Sequence, residues 1–353
     1  MVKYLKLLLW PFAVLYGAVT SLRNQFYNKG ILKSTSFELP VIAVGNLTVG
    51  GTGKTPHVEY LIRLLQKYNL ATLSRGYKRK TKGFILADAT STAAQLGDEP
   101  YQYYQDFPGI SVAVSESRVE GVQKLRRLVP DIEVVVLDDA MQHRAIRPSF
   151  MIMLTDYNRP FFKDFILPAG LLRESRSGAA RADVVVVSKC PQHMSHSEME
   201  KYTSSIRKYT TAAAPVFFST FRYGAPVSIG AASQLSKSII LLTGIANPAP
   251  LKEYLATAGY QVVKVFSFPD HHTYSLQDVA QVKSYLEKHK NQIISIITTS
   301  KDAVKLTAGE LADATKTLDL FYLPIQVSFL KDAALFDSMV AGHVKDFMTV
   351  NSI

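Results

Sequence analysis

The chain has 353 residues, 47% hydrophobic and 20% charged, enough for about two domains of roughly 150 residues with cores of their own. This excludes a minimal binding module and a disordered tail or scaffold. Forty Lys and Arg against 29 Asp and Glu leave a formal charge of +11, which admits nucleic acid, an anionic membrane or phosphorylated ligands as partners.

The surplus is confined to two places. Residues 1–37 carry Lys3, Lys6, Arg23, Lys29 and Lys33 with no acid, and residues 75–82 carry Arg75, Lys78, Arg79, Lys80 and Lys82, again with none. The rest of the chain is nearly balanced, so no basic stripe runs along it to track a nucleic-acid backbone, and no nucleic-acid partner is expected. The single cysteine, Cys190, has no partner for a disulfide or a structural zinc site and reads as a small buried hydrophobe in a reducing compartment.

In chain order, the first predicted element lies between Lys6 and Arg23, where 16 uncharged residues run without interruption. As a helix they rise about 24 Å, short of the roughly 30 Å hydrocarbon core. Leu8, Phe12, Leu15, Val19 and Leu22 recur at spacings of three and four, with Trp10, Tyr16 and flanking cations suited to an interface. The segment reads as a helix lying in or dipping into the bilayer surface, in preference to a signal peptide or a helix packed on its own domain. Pro11 suits its first turn.

Next, an apolar strand over Val41 to Val44 runs into a glycine-rich loop and an amphipathic helix, the context a phosphate-binding loop requires. Residues Leu47, Thr48, Val49, Gly50, Gly51, Thr52, Gly53, Lys54 and Thr55 form the candidate nucleotide site. The glycines let backbone N–H groups close around phosphate oxygens, Lys54 reaches the β- and γ-phosphates, and the Thr55 hydroxyl is a ligand for Mg²⁺. The pattern GxxxxGK[ST] asks for glycine at position 48, where this chain has Thr48. A second apolar strand, Ile132 to Leu137, ends in Asp138 and Asp139, assigned to the metal directly or through water.

Further apolar runs at Val184 to Val187, Val216 to Phe218, Ile239 to Leu242, Val262 to Phe266, Ile293 to Ile297 and Phe321 to Ile325 alternate with helical stretches over 249–258, 275–290 and 331–346. This pattern predicts parallel α/β layers. The Ala-, Thr- and Ser-rich stretch 203–236, broken by Pro215, Gly224, Pro226 and Gly230, is the expected linker. The expected organisation is a membrane-associated helix over 1–30, a P-loop lobe over 31–222 with a mostly parallel sheet and helices on both faces, and a smaller α/β lobe over 223–353 whose last strands are free to return to the first sheet.

Nine motifs in order, GNLTVGGTGKTP (45–56), LSRGYKRK (73–80), GDEP (97–100), SESRVEGV (115–122), LDDAMQHR (137–144), LLRESRSGAARAD (171–183), GIANP (244–248), FPDHH (268–272) and TTSKDAVKL (298–306), together resemble the tetraacyldisaccharide 4'-kinases, the lipid A 4'-kinases. The resemblance implies a P-loop kinase on the cytoplasmic face of the inner membrane, peripheral or monotopic. It implies transfer of the ATP γ-phosphate, with Mg²⁺, to the 4'-hydroxyl of a lipid disaccharide 1-phosphate, and no obligate protein partner is expected. Such a substrate fits the charge map, because the apolar helix meets acyl chains while cations meet phosphates. Arg75, Tyr77, Arg118 and Arg173 are the candidates for that face, with Gln142 and His143 retained from the family pattern. Lys78, Arg79, Lys80 and Lys82 taken singly read as a solvated loop.

A sugar hydroxyl needs a base within hydrogen-bond reach. Asp98 of GDEP is the first candidate, although such a carboxylate also serves as a turn former; the resemblance implies that it works with the histidine of a DH pair, here His271 rather than His272. Glu99 is a further candidate for the metal shell. The chain departs from the family's DDGFQH at Ala140 and Met141, and from TEKDAVKL at Ser300, so no acidic role carries to that position. A deviant P-loop regulatory ATPase is the rival reading; it wants lysine where Val49 stands and leaves GDEP and FPDHH without roles.

Overall fold

A computed structural model describes residues 9–232, 234–245, 247–270 and 272–351. Helix α1 spans Trp10–Asn28, with Pro11 in its first turn where the missing N–H is harmless. Its small residues Ala13 and Gly17 face the protein, and Phe12, Leu15, Val19 and Leu22, all more than half exposed, face outward. A Cβ on Gly17 would lie 3.1 Å from Ile166 Cδ1, so the closeness of this contact depends on a small residue. Leu8, Lys3 and Lys6 lie outside the described residues. Among the described residues no helix is long and apolar enough to cross a membrane.

The larger sheet begins with β1 (Val41–Asn46), followed by α2 (Lys54–Leu64), β2 (Leu70–Ser74), β3 (Ile85–Leu86), α3 (Ala93–Leu96), α4 (Asp98–Asp106), β4 (Ser111–Val114), α5 (Arg118–Leu128), β5 (Val134–Asp138), β6 (Phe150–Asp156), β7 (Val184–Ser188), α6 (His196–Arg207) and β8 (Val216–Tyr223). A short β9 (Val227–Ser228) then starts the smaller sheet with β10 (Ser238–Thr243), α7 (Ala249–Thr257), β11 (Gln261–Ser267), α8 (Leu276–Lys288), β12 (Ile294–Thr299), α9 (Ser300–Leu306), α10 (Glu310–Thr315) and β13 (Leu320–Leu323). The last elements are β14 (Ile325–Phe329) and α11 (Ala333–Asn351).

The nine strands of the larger sheet lie in the order β14-β8-β7-β6-β1-β5-β2-β4-β3, and the five of the smaller in the order β11-β10-β12-β13-β9. Pairing is parallel except at β3, β9 and β14. Both faces of the larger sheet are covered, which is why its strands read as unbroken apolar runs rather than as alternating ones. Val41 and Ala43 enter one core with Val122 and Ile206, whereas Ile42 and Val44 enter the other with Leu61, Tyr103 and Val340.

The chain leaves the larger sheet at Gly224 and re-enters it at Ile325, the two connections lying side by side where Gly224 N donates to Pro324 O at 2.8 Å. Phe336, Val340 and Val344 repeat at every fourth residue and are buried against the first sheet, a stripe whose burial stabilises by about 1.5–3 kcal/mol per side chain. The apolar run 321–325 is therefore two strands in two different sheets, divided at Pro324. The expected linker 203–236 also differs. Its first residues finish α6, and VFFSTFRY forms β8 between β7 and β14. Buried aromatic packing of Phe217 and Phe218 outweighs the small-residue composition around them.

Candidate active site

Strand register sets the site. Val44 of β1 pairs with Asp138 of β5, so the phosphate loop that follows β1 and the acidic end of β5 emerge at the same carboxyl edge of the sheet, where open α/β sheets bind ligands. Leu47 and Thr48 are buried. They shape the strand-to-loop turn, and the accessible cradle runs from Val49 to Thr55. Gly50 and Gly53 have φ of 101° and 83°, a left-handed backbone that favours glycine. Gly51 lies exposed at the rim, and Thr52 is buried with its hydroxyl unpartnered.

Lys54 Nζ donates to Asn46 Oδ1 at 3.4 Å and lies 3.7 Å from Asp139 Oδ1. Arg173 grips the same carboxylate with both guanidinium nitrogens, Nη2 to Oδ1 at 2.7 Å and Nη1 to Oδ2 at 3.0 Å. Its Nη2 also donates to Asn46 Oδ1 at 2.5 Å. Burial opposes ionisation of Asp139, but Lys54 and then Arg173 outweigh it and hold the carboxyl at about 2. Both Asp139 oxygens are thus engaged by Arg173, and Lys54 lies beside one of them. The backbone of Asp139 has a φ of 49°. The strained position is therefore Asp139 and not Ala140, and alanine is accommodated there. Met141 packs against Gly45, where a Cβ would stand 2.6 Å from Met141 Cβ.

Asp138 is different. Tyr103 Oη donates to its Oδ2 at 3.2 Å, while the buried Oδ1 has no hydrogen-bond partner. Burial, followed by the nearby Glu99 charge, pushes its carboxyl up to about 7. The Thr55 hydroxyl interacts with the same Tyr103. An orphaned carboxylate oxygen beside Glu99 and Thr55 fits a hard divalent cation, and Mg²⁺ commonly takes one or two carboxylates plus phosphate and water. Among the described residues no group of three His, Cys, Asp or Glu is set to hold a metal by itself.

A cavity of about 270 Å³ adjoins Asp139 and is lined by Tyr16, Thr20, Arg23, Arg75, Gln142, His143 and Arg173. Helix α1 therefore walls the site as well as presenting an apolar face outward. Gln142 Nε2 donates to Asn46 O and to Glu174 Oε1, both at 2.9 Å. Burial, then the Arg118 and Arg75 charges, lower His143 to about 4, so its ring is neutral. Tyr77 is 67% exposed on the loop that carries Arg75.

Arg118 does not lie on this surface. It is 2% exposed, donating from Nη1 to Ser115 O at 2.7 Å and from Nη2 to Asp138 O at 2.9 Å. It braces the end of β5 from inside, a correction to its assignment to the lipid-facing side. Arg79 also departs from a solvated loop, since its buried side chain donates to Gly83 O and Glu116 Oε1, each at 2.5 Å.

Asp98 begins α4 after Gly97, whose φ is 94°. Its Oδ2 lies 3.0 Å from Lys305 Nζ of α9. His271 lies outside the described residues. His272 is committed elsewhere, 3.0 Å from Asp278 Oδ2 and stacked on Phe268 at 4.4 Å. Asp270 pairs with Lys301 at 3.1 Å. Asp302 accepts Gly244 N at 2.9 Å and the Thr299 hydroxyl at 2.8 Å, tying GIANP to TTSKDAVKL without an acid at Ser300.

Sequence reasoning missed Asn46, Glu174, Arg181 and Lys305. Asn46 is a polar residue closing an apolar strand, a signal that was available. Glu174 is buried and receives Asn24, Gln142 and Arg181, a convergence of separate segments that no local motif carries. Cys190 is the buried thiol expected, pushed up to about 12 by burial.

A family model for tetraacyldisaccharide-1-P 4'-kinase matches residues 5–345. The tetraacyldisaccharide 4'-kinase of Flavobacterium johnsoniae is 46% identical over 97% of this chain and 98% of its own length. That of Cytophaga hutchinsonii is 44% identical with 93% of each covered. Among solved structures, LpxK from Aquifex aeolicus in complex with ATP aligns with a TM-score of 0.75 and 28% identity, covering 96% of this chain and 99% of that one. Matches of this extent favour the kinase reading over the regulatory ATPase. The chain belongs to the tetraacyldisaccharide-1-P 4'-kinase family.

Proposed function

We propose that this chain is an ATP-dependent kinase that transfers the γ-phosphate of ATP to the 4'-hydroxyl of a tetraacyldisaccharide 1-phosphate, a step in lipid A biosynthesis. The observation that carries the reading is that Asp139 serves two parts of one site. It pairs with Lys54 of the phosphate loop and also walls the cavity lined by Arg23, Arg75 and His143. A phosphorylated acceptor and the nucleotide thereby share a boundary, as in-line transfer requires.

In this reading the loop from Val49 to Thr55 grips the triphosphate and Lys54 neutralises its γ end. Asp138, with Glu99 and Thr55, would hold Mg²⁺, which neutralises charge developing on the phosphate oxygens. Asp98 takes the proton of the 4'-hydroxyl, and His271 is proposed as its partner. Arg23, Arg75 and Arg173 with Gln142 and His143 bind the head of the lipid, with Tyr77 nearby on the Arg75 loop. The outward row Phe12, Leu15, Val19 and Leu22 supports attachment of α1 to a membrane surface, on the cytoplasmic face of the inner membrane. An apolar groove of about 600 Å³ between α1 and Phe165, Ile166 and Leu172 offers room for acyl chain.

The test is transfer of label from γ-labelled ATP with Mg²⁺ to a tetraacyl disaccharide 1-phosphate in detergent. Labelled lipid is expected from the wild type and not from Lys54→Ala. ATP hydrolysis without labelled lipid would instead support the regulatory ATPase.

A further inference from the structure

The phosphate loop is held from behind. Arg159 Nη2 donates to Val49 O at 3.3 Å, the Lys189 ammonium donates to Gly51 O, Ser188 Oγ donates to Thr52 O at 2.8 Å, and His57 Nδ1 donates to Gly53 O at 2.7 Å. The remaining carbonyl, that of Gly50, accepts Thr52 N at 3.1 Å. Every carbonyl from Val49 to Gly53 therefore has a donor, and four of the donors are side chains outside the GGTGKT motif.

Lys189 and His57 are themselves held in place. Lys189 Nζ lies 2.8 Å from Asp156 Oδ2 at the end of β6, and its backbone has a φ of 59°, a conformation a lysine adopts only where its surroundings hold it. His57 is buried. Gly53 O can only accept, which makes Nδ1 the donor, and the other ring nitrogen, Nε2, lies 3.0 Å from Ser219 Oγ. The clamp thus reaches back through β7 and β8 into the sheet.

In a trans peptide the C=O and the following N–H point to opposite sides. Holding the carbonyls of Val49, Thr52 and Gly53 outward turns the N–H groups of Gly50, Gly53 and Lys54 the other way, toward the cradle. We infer that Arg159, Lys189, Ser188 and His57 form an outer clamp of positioning residues that fixes the phosphate loop in its anion-binding shape before ATP arrives. They act through the loop and do not themselves grip phosphate. Pre-formed donors spare the ligand the ordering of a glycine-rich segment, and affinity rises accordingly.

This inference rests on the loop being the ATP site, and calorimetric titration of the full chain with Mg²⁺-ATP and Mg²⁺-ADP tests both. Lys189→Met should weaken ATP and ADP alike, by about tenfold, as expected for one charge-assisted hydrogen bond. The KM for the lipid should stay within twofold, and Lys189→Arg should recover most of the loss. Arg159 is exposed, so Arg159→Met keeps the test open should the Lys189 variant fail to fold; it should weaken both nucleotides by a smaller, equal factor. Weakening of ATP alone would make these residues γ-phosphate ligands and overturn the clamp, as would unchanged affinity for both. Lys54→Met separates the two failures. If it leaves ATP affinity unchanged, the loop is not the ATP site; if it weakens ATP while Lys189→Met and Arg159→Met do not, the clamp alone is wrong.

Discussion

Lys305 Nζ lies 3.0 Å from Asp98 Oδ2 and 3.0 Å from the carbonyl oxygen of His272. One ammonium thus joins the first residue of α4, on the larger sheet, to the FPDHH turn of the smaller. The proposed base is therefore set against that turn by a side chain of α9. Lys305→Met should lower kcat at least tenfold, since small displacements of a reacting group are costly, and should leave ATP affinity within twofold. Lys305→Arg should restore part of kcat. Unchanged kcat in the methionine variant would mean that this pair has no part in positioning Asp98.

Asp138 predicts an opposition between stability and activity. Its folded carboxyl is raised to about 7, above the ordinary aspartate value of about 3.9. The folded state therefore holds the proton more tightly, and stability falls as pH rises between those values, with the full penalty present above pH 7. Asp138→Asn removes the penalty. The nucleotide-free variant should be more stable than wild type at pH 8, by roughly 1–4 kcal/mol, with the gap closing toward pH 4, and it should lose turnover. Urea unfolding at pH 5 and pH 8 measures this, and a gap that does not change with pH would contradict it.

For Asp139 the sign is reversed. Its folded carboxyl sits at about 2, below the unfolded value, so its contribution is complete above about pH 4 and disappears as pH falls through 2. The side chain is 39% exposed, and solvent screening limits this contribution to about 1 kcal/mol. Arg173→Met should lose part of it, with Lys54 retaining the rest. The difference in unfolding free energy between wild type and variant should narrow between pH 5 and pH 2.5; a difference constant over that range would mean that Arg173 stabilises only through its contacts with Asn46.

Gly53 is constrained twice, by its φ of 83° and by the Phe221 ring, which a Cβ there would overlap. Left-handed backbone costs a non-glycine residue about 1–2 kcal/mol, and overpacking costs about 1–3 kcal/mol more. Gly53→Ala should abolish measurable ATP binding. Adding Phe221→Leu should recover stability but only part of the affinity, because the backbone strain persists. Full recovery in the double variant would show that the ring alone made glycine necessary.

Features carried by one contiguous segment were legible in the sequence. The turn from β1 through Gly50 and Gly53 into α2, and the paired acids ending β5, are strand–loop–helix patterns whose chemistry is local. What was not legible depends on segments meeting in space. Arg118 and Arg79 sit in polar, charged stretches that read as surface, yet both point inward to satisfy carbonyls and a carboxylate. Lys305 lies 207 positions from its partner Asp98, and Lys189 is one lysine in a short loop after a strand. Pro324 divides what reads as a single apolar run into strands of two sheets, and neither composition nor period marks which strand goes where.

The most direct measurement is the position and origin of the phosphate in the product. Tetraacyl disaccharide 1-phosphate, incubated with Mg²⁺, γ-labelled ATP and the full chain, should yield a bisphosphate whose new, labelled phosphate sits on the 4'-oxygen by ³¹P NMR. Lys54→Ala and Asp98→Ala should each reduce its formation by at least 100-fold, as expected for loss of a transition-state contact or a general base. Label absent from the lipid, or carried on another oxygen, would contradict the account, and near wild-type turnover by Asp98→Ala would remove Asp98 as the base.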